Sequence, residues 1–142
     1  MRVVLDADVF VAALRSRRGA SAAWVGAALR REVEMLVSVP LMLQYESVVS
    51  RLEHRTASGL SIVELGTVLD AIAAVVTPVT ISYLWRPILR DPDDELVLET
   101  AVNGRADLLL TFNERDFAGA ERFTLRISRP GPAWRDWLEG SK

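Results

Sequence analysis

Four acidic residues stand where the sequence pattern changes between strand and helix: Asp6, Glu46, Asp94 and Asp116. Asp6 ends the apolar run Val3-Val4-Leu5. Asp94 belongs to Asp91-Pro92-Asp93-Asp94, ahead of a helical stretch, and Asp116 follows Leu108-Leu109-Leu110-Thr111 by a few residues. Acids that converge in a fold repel one another and need a compensating cation. Ligands made of oxygen alone favour a hard ion such as Mg²⁺ or Mn²⁺. An ion of that kind activates water and neutralises charge on phosphate, so the first chemistry to expect is metal-dependent attack on a phosphate.

Each acid also has a plainer reading. Asp91 precedes a proline at the first helical position and is read as the cap of that helix. Asp93 is a first-turn acid that complements the helix dipole. Asp94 lies three and seven residues before Val97 and Ala101. That spacing puts it on the face expected to be buried, where an unpartnered carboxylate is expensive. Asp8 is read as the cap of a helix starting at Val9, with support of Asp6 as a lesser role. Asn113 and Asp116 fit an N-x-x-D capping pattern, which competes with a ligand role. Thr111 would orient a water or a carboxylate, or simply satisfy a strand end. Glu46 taken alone is a surface helix residue. His54, the single histidine, sits between Arg51 and Arg55 on a polar face and is expected to be exposed. Arg15, Arg17 and Arg18 would bind a nucleic-acid backbone or form a solvated loop, with equal weight on each.

The elements that must position these residues alternate between strand and helix. Arg2 to Leu5, Glu34 to Ser38, Asp107 to Thr111 and Thr124 to Ile127 read as strands, and Val76 to Tyr83 as an irregular one. Val9 to Leu14, Ala20 to Arg31, a segment opened by Pro40, and Ser61 to Val75 read as helices. So do a segment opened by Asp91-Pro92 and a terminal one carrying Trp134 and Trp137. Leu41, Tyr45, Val48, Val49 and Leu52 form one helical stripe, with Glu46 at its margin, roughly 100° from Tyr45. Asn103-Gly104 is expected to end its helix in a left-handed cap. The order predicts an α/β fold: a mainly parallel sheet with helices on both faces, in one domain spanning residues 1–142. Ligands in such sheets bind beyond the carboxyl ends of the strands, the edge where Asp6 and the Thr111 to Asp116 turn fall.

Composition narrows the classes. The chain has 142 residues, half of them hydrophobic, and a formal charge of −2, so no global basic bias points to nucleic acid. Sixteen of the seventeen basic residues are arginine and the one lysine is Lys142, a bias read as genomic rather than functional. The absence of cysteine excludes disulfides, thiolate zinc sites and cysteine nucleophiles. No apolar stretch is long enough to span a membrane, and the first strand begins at once without a signal-peptide layout, so a cytoplasmic location is expected.

Val3-Val4-Leu5-Asp6-Ala7-Asp8-Val9 resembles the opening of PIN-domain ribonucleases, usually D-x-N and an apolar residue. Leu43-Gln44-Tyr45-Glu46-Ser47-Val48-Val49 is similar to their helix bearing a single glutamate. Arg90-Asp91-Pro92-Asp93-Asp94-Glu95 resembles the D-P-x-D segment of the toxin-like bacterial branch, and Leu110-Thr111-Phe112-Asn113-Glu114-Arg115-Asp116-Phe117 a T-x-N-x-x-D-F ending. The order and spacing fit across nearly the whole chain. The resemblance implies a three-layer α/β/α fold and a Mg²⁺- or Mn²⁺-dependent ribonuclease of the VapC-like kind, the toxin of a type II toxin–antitoxin pair. It further implies a catalytic set of Asp6, Glu46, Asp94 and Asp116, with Asp6, Asp94 and Asp116 on the metal, Asp8, Thr111 and Asn113 in support, and Arg15, Arg17 and Arg18 on RNA. A small antitoxin whose segment plugs the acidic groove, and a homodimer, are the implied partners. Two positions depart from the pattern: Asp8 stands where Asn is usual, and Asn113 where many members carry a carboxylate. Asp116 must then reach in from a turn later. Two other readings compete. In one, the acids are caps alone, in a weak or inactive PIN-like binding module. Alternatively, Asp6-Ala7-Asp8-Val9 resembles the D-x-D motif of haloacid-dehalogenase-like phosphatases, with Asp6 as nucleophile.

Overall fold

The computed structural model describes residues 1–51, 56–82 and 89–140. Expectations placed on Leu52, His54, Arg55, Tyr83 and Lys142 fall outside these residues.

Strand β1 (Arg2–Leu5) is followed by α1 (Ala7–Arg15) and α2 (Ala20–Leu29), β2 (Glu34–Val37), α3 (Val39–Val49), α4 (Ile62–Val75), β3 (Thr77–Pro78), α5 (Pro92–Asn103), β4 (Leu108–Leu110), β5 (Arg126–Ser128) and α6 (Pro130–Gly140). The strands form one parallel sheet in the order β3-β2-β1-β4-β5. Strand β1 is central, which is why Val3, Val4 and Leu5 are apolar without alternation: both faces are covered and each residue is at most 1% exposed. Burying side chains of this size contributes about 1.5–3 kcal/mol each. The chain travels from β1 outward to β3, then crosses back to place β4 on the other side of β1. With right-handed crossovers this reversal puts α5 on the face opposite the α1–α2 pair, completing three layers. The carboxyl ends of β1 and β4, paired through Leu5 and Leu110, are the point of reversal where such sheets open a ligand crevice.

Several boundaries differ from the sequence expectation, each for a local reason. Helix α1 begins at Ala7, not Val9, because Asp6 and not Asp8 is its cap. Gly104 ends α5 with φ −85°, so the expected left-handed cap is absent there, and Arg105 takes the positive φ of 54° instead. Glycine is needed at 104 for space: a Cβ would stand 2.8 Å from Val79 and 2.9 Å from Leu36. The last strand starts at Arg126 because Thr124 has φ 60° and leaves the extended region. Strand β3 is short, since Pro78 has no N–H for the ladder. The Trp134 and Trp137 rings close on Trp24 of α2, whose indole N–H donates to the Pro130 carbonyl, and both are partly buried against the core.

Candidate active site

Asp6 leaves β1 with φ −62° and ψ 152°, the extended geometry of a helix cap. One carboxylate oxygen accepts the Ala7 N–H at 2.8 Å, and the other accepts the Thr111 hydroxyl at 2.8 Å. Its backbone N–H donates to the Leu110 carbonyl and its own carbonyl accepts from Val9 and Phe10. The residue is 8% exposed. Burial raises its pKa above the ordinary value, the bonds from Thr111 and Ala7 oppose that rise, and the charges of Asp116 and Asp91 add to it. Thr111 is fully buried and also accepts the Asn113 backbone N–H at 3.0 Å, so it ties the turn after β4 to the end of β1.

Asp8 sits in the first turn of α1 and does not cap it. One of its oxygens accepts the Phe112 N–H at 3.2 Å and the Asn113 side-chain amide at 3.1 Å. The other, Oδ1, is shielded from solvent and meets no hydrogen-bond donor among the described residues. Burial, then the neighbouring Asp6 charge, push Asp8 up to about 6. Asn113 is therefore a brace for Asp8. It makes no side-chain cap on the short 3₁₀ turn Glu114–Phe117, contrary to the N-x-x-D capping reading.

Helix α5 starts with Asp91 as its cap, the carboxylate accepting the Asp93 N–H at 2.9 Å, as the sequence implies. Asp94 follows one turn into the helix and is half-buried. Burial raises its pKa to about 7, and the charges of Asp6, Asp91, Asp116 and Asp93 add to the effect. Asp116 is exposed on the turn after β4. Asp6, Asp94 and Asp116 thus come from three distant segments and face one cleft. A cavity of about 660 Å³ runs along Asp6, Asp8, Asp94 and Asp116, and a second of about 480 Å³ continues it past Asp91, Asp94 and Asp116.

Glu46 does not join them. It is exposed and lines a separate cavity with Ile62, Leu65 and Leu69 of α4. Helix α3 instead offers Gln44 and Val48 to the acidic cleft, with Arg51 just past its end. The reason is Tyr45, which is fully buried, stacks on Phe10 with ring centroids 4.6 Å apart, and donates its hydroxyl to the Leu5 carbonyl. With Tyr45 pointing inward, residues 44 and 46 diverge to opposite sides, each roughly 100° away. The Gln44 Oε1 is shielded and meets no hydrogen-bond donor among the described residues. Sequence reasoning passed over Gln44. Its signal was the run Leu41, Gln44, Val48, which lies on one side of α3.

Of the basic residues, Arg15 lines the cleft, whereas Arg17 and Arg18 are exposed and are not among its lining residues. The Glu64 carboxyl is lowered mainly by its bonds with Ser61 and, last, by the charge of Arg17, which places Arg17 toward α4. Three arginines not singled out in the sequence stand on the cleft walls: Arg51, Arg90 and Arg115.

The donor set suits a hard divalent cation. It is all oxygen, its acids repel one another, and two shielded oxygens, on Asp8 and Gln44, lack donors among the described residues. The acids share the cleft without closing into a cage: among the described residues no three carboxylates or histidines group at ligand spacing.

A parallel α/β/α sheet with an acidic, oxygen-lined crevice at its point of reversal defines the class of fold. Within that class the chain belongs to the PIN domain family, whose pattern its sequence matches over residues 2–115. Its fold is similar to a chain in the crystal structure of VapBC2 from Rickettsia felis bound to a DNA fragment from their promoter. The TM-score is 0.58 at 13% identity, covering 91% of this chain and 98% of that one. No curated protein matches the chain by sequence. Family membership replaces the dehalogenase-like reading of Asp6.

Proposed function

We propose that the chain is a metal-dependent endoribonuclease and the toxin of a toxin–antitoxin pair. The observation that carries this reading is the meeting of Asp6, Asp94 and Asp116 in one cleft, where the charges of Asp6 and Asp116 raise the proton affinity of Asp94 and that of Asp116 raises Asp6. Membership of the PIN domain family supports it, and so does the fold shared with a chain of a VapBC2 complex. Asp6, Asp94 and Asp116 would hold Mg²⁺ or Mn²⁺, and the bound ion supplies Lewis acidity toward the phosphate and acidifies a water.

The protein's own part is positioning. Thr111 and the Ala7 N–H fix both oxygens of Asp6. Phe112 and Asn113 hold Asp8 beside Asp6. Arg15 and Arg51 on one side, with Arg90 and Arg115 on the other, would take the phosphates flanking the scissile bond, while Arg17 and Arg18 extend the RNA path outside the cleft. Glu46 has no place at the cleft in this scheme. An antitoxin segment would neutralise the same acids, with an arginine facing the carboxylates. A homodimer and a cytoplasmic location belong to this reading; no helix among the described residues is long and apolar enough to cross a membrane.

The test is RNA cleavage with and without Mn²⁺, by the wild type and by Asp6→Asn. Metal-dependent cleavage lost in the variant is the expected result, and equal cleavage by both proteins rejects the proposal. The binding-module alternative draws on one observation, the open spacing of the acids. It predicts no heat of Mn²⁺ binding and no cleavage by the wild type.

A further inference from the structure

We infer that Gln44 is a neutral oxygen ligand of the cleft's divalent cation, and that its missing charge sets how tightly the ion is held. The inference rests on the metal-dependent reading above.

Two oxygens in the cleft have no hydrogen-bond donor among the described residues: Gln44 Oε1 on α3 and Asp8 Oδ1 on α1. Both are shielded from water and both residues line the same cavity. A buried acceptor without a donor loses its hydration and gains nothing in return. Two acceptors cannot satisfy each other, so a positive centre between the walls is the simplest partner for both. Amide carbonyls of Gln and Asn are ordinary ligands for hard cations, and the number of charged ligands tunes affinity.

The charge balance gives a reason for the amide. The cleft already holds Asp6, Asp8, Asp94 and Asp116, and three of these have raised proton affinities from burial and mutual repulsion. Another carboxylate from α3 would add a ligand and more repulsion together. Gln44 adds the oxygen alone. The one carboxylate that α3 carries, Glu46, faces the other cavity.

Titration calorimetry with Mn²⁺ alone, on the full chain, tests this with Gln44→Glu and the near-isosteric Gln44→Met, alongside Asp6→Asn. The expected result is Mn²⁺ binding about tenfold tighter in Gln44→Glu and about tenfold weaker in Gln44→Met. The thermal midpoint of metal-free Gln44→Met should equal or exceed that of the wild type, because the lost oxygen had no partner. Mn²⁺ affinity unchanged in both Gln44 variants, while Asp6→Asn abolishes binding, overturns the inference and leaves the metal-dependent reading intact. A lower metal-free midpoint in Gln44→Met also overturns it, since the amide would then be donating to Asp8 from its other orientation. Mn²⁺ binding by neither the wild type nor Gln44→Glu takes down both. Binding that is detectable in Gln44→Glu alone supports the role of the missing charge.

Discussion

The two walls of the acidic cleft are built on different principles. On the β1/β4 wall, Asp6 and Asp8 receive Ala7, Thr111, Phe112 and Asn113, so backbone and side-chain donors fix their carboxylates. On the α5 wall and the turn after β4, the Asp94 and Asp116 carboxylates accept no hydrogen bond among the described residues. Burial, then the neighbouring acids, raise the Asp94 pKa to about 7. One wall is preorganised by donors at the sheet edge, and the other carries carboxylates without them. Among the described residues the acids share the cleft but do not group at ligand spacing.

This contrast ranks the substitutions. Asp6→Asn should have the largest effect, because it removes charge from the wall that cannot rearrange. Loss of RNA cleavage should exceed about 100-fold, the upper range for removing a merely supporting partner. Cleavage assays at saturating Mn²⁺ measure it, and a smaller loss would mean the fixed wall is not the anchor. Thr111→Val should fall next, at about 10–100-fold in activity or Mn²⁺ affinity. It leaves the fully buried site filled but frees one Asp6 oxygen. Equal activity in that variant would show that the Thr111 bond holds the strand ends together without serving the site.

The fixed wall was also the legible one. An unbroken apolar run ending in a carboxylate marks a buried central strand with a polar group at its end, and both Asp6 and Thr111 follow from that pattern. The α5 acids were legible because Pro92 marks the helix start and the spacing to Val97 sets the face. What stayed hidden depended on contacts across the fold. Gly104 is needed because Val79 and Leu36 crowd it, and neither is near it in sequence. Glu46 stands out in the sequence by its charge, whereas nothing in the sequence singles out Gln44 except its place on the Leu41 and Val48 side of α3. Arg51, Arg90 and Arg115 are single residues in separate segments, with no pattern to join them until the sheet does.

The repelled wall makes a further prediction through pH. The Asp94 and Asp8 carboxyls have folded pKa values near 7 and 6, raised from 3.8 by burial first and neighbouring acids second. The folded protein therefore holds more protons than the unfolded chain between pH 4 and 7, and stability falls as pH rises through that window. Above it the penalty is fully present, and below it the penalty is gone. The thermal midpoint of the metal-free protein should rise on going from about pH 8 to about pH 5, an effect kept small by the partial exposure of Asp94. Mn²⁺ should flatten the profile by neutralising the charges that cause it. A metal-free midpoint that falls steadily over that range would show that the acids do not oppose one another.

The smallest effect should come from Glu46→Gln. Glu46 belongs to the same helix as Gln44 but is exposed on the other side of Tyr45, beside Ile62 and Leu65. An exposed charge is screened over roughly 10 Å at moderate salt, so its removal should leave cleavage and Mn²⁺ affinity within about twofold of wild type. The pair of substitutions on α3 is then a direct test of which side of the helix faces the chemistry. A strong loss in Glu46→Gln with none in Gln44→Met would require α3 to be turned by about 200° about its axis. That turn would drag Tyr45 out of its contacts with Phe10 and the Leu5 carbonyl, so the two helix faces cannot exchange roles without dismantling the core that supports Asp6.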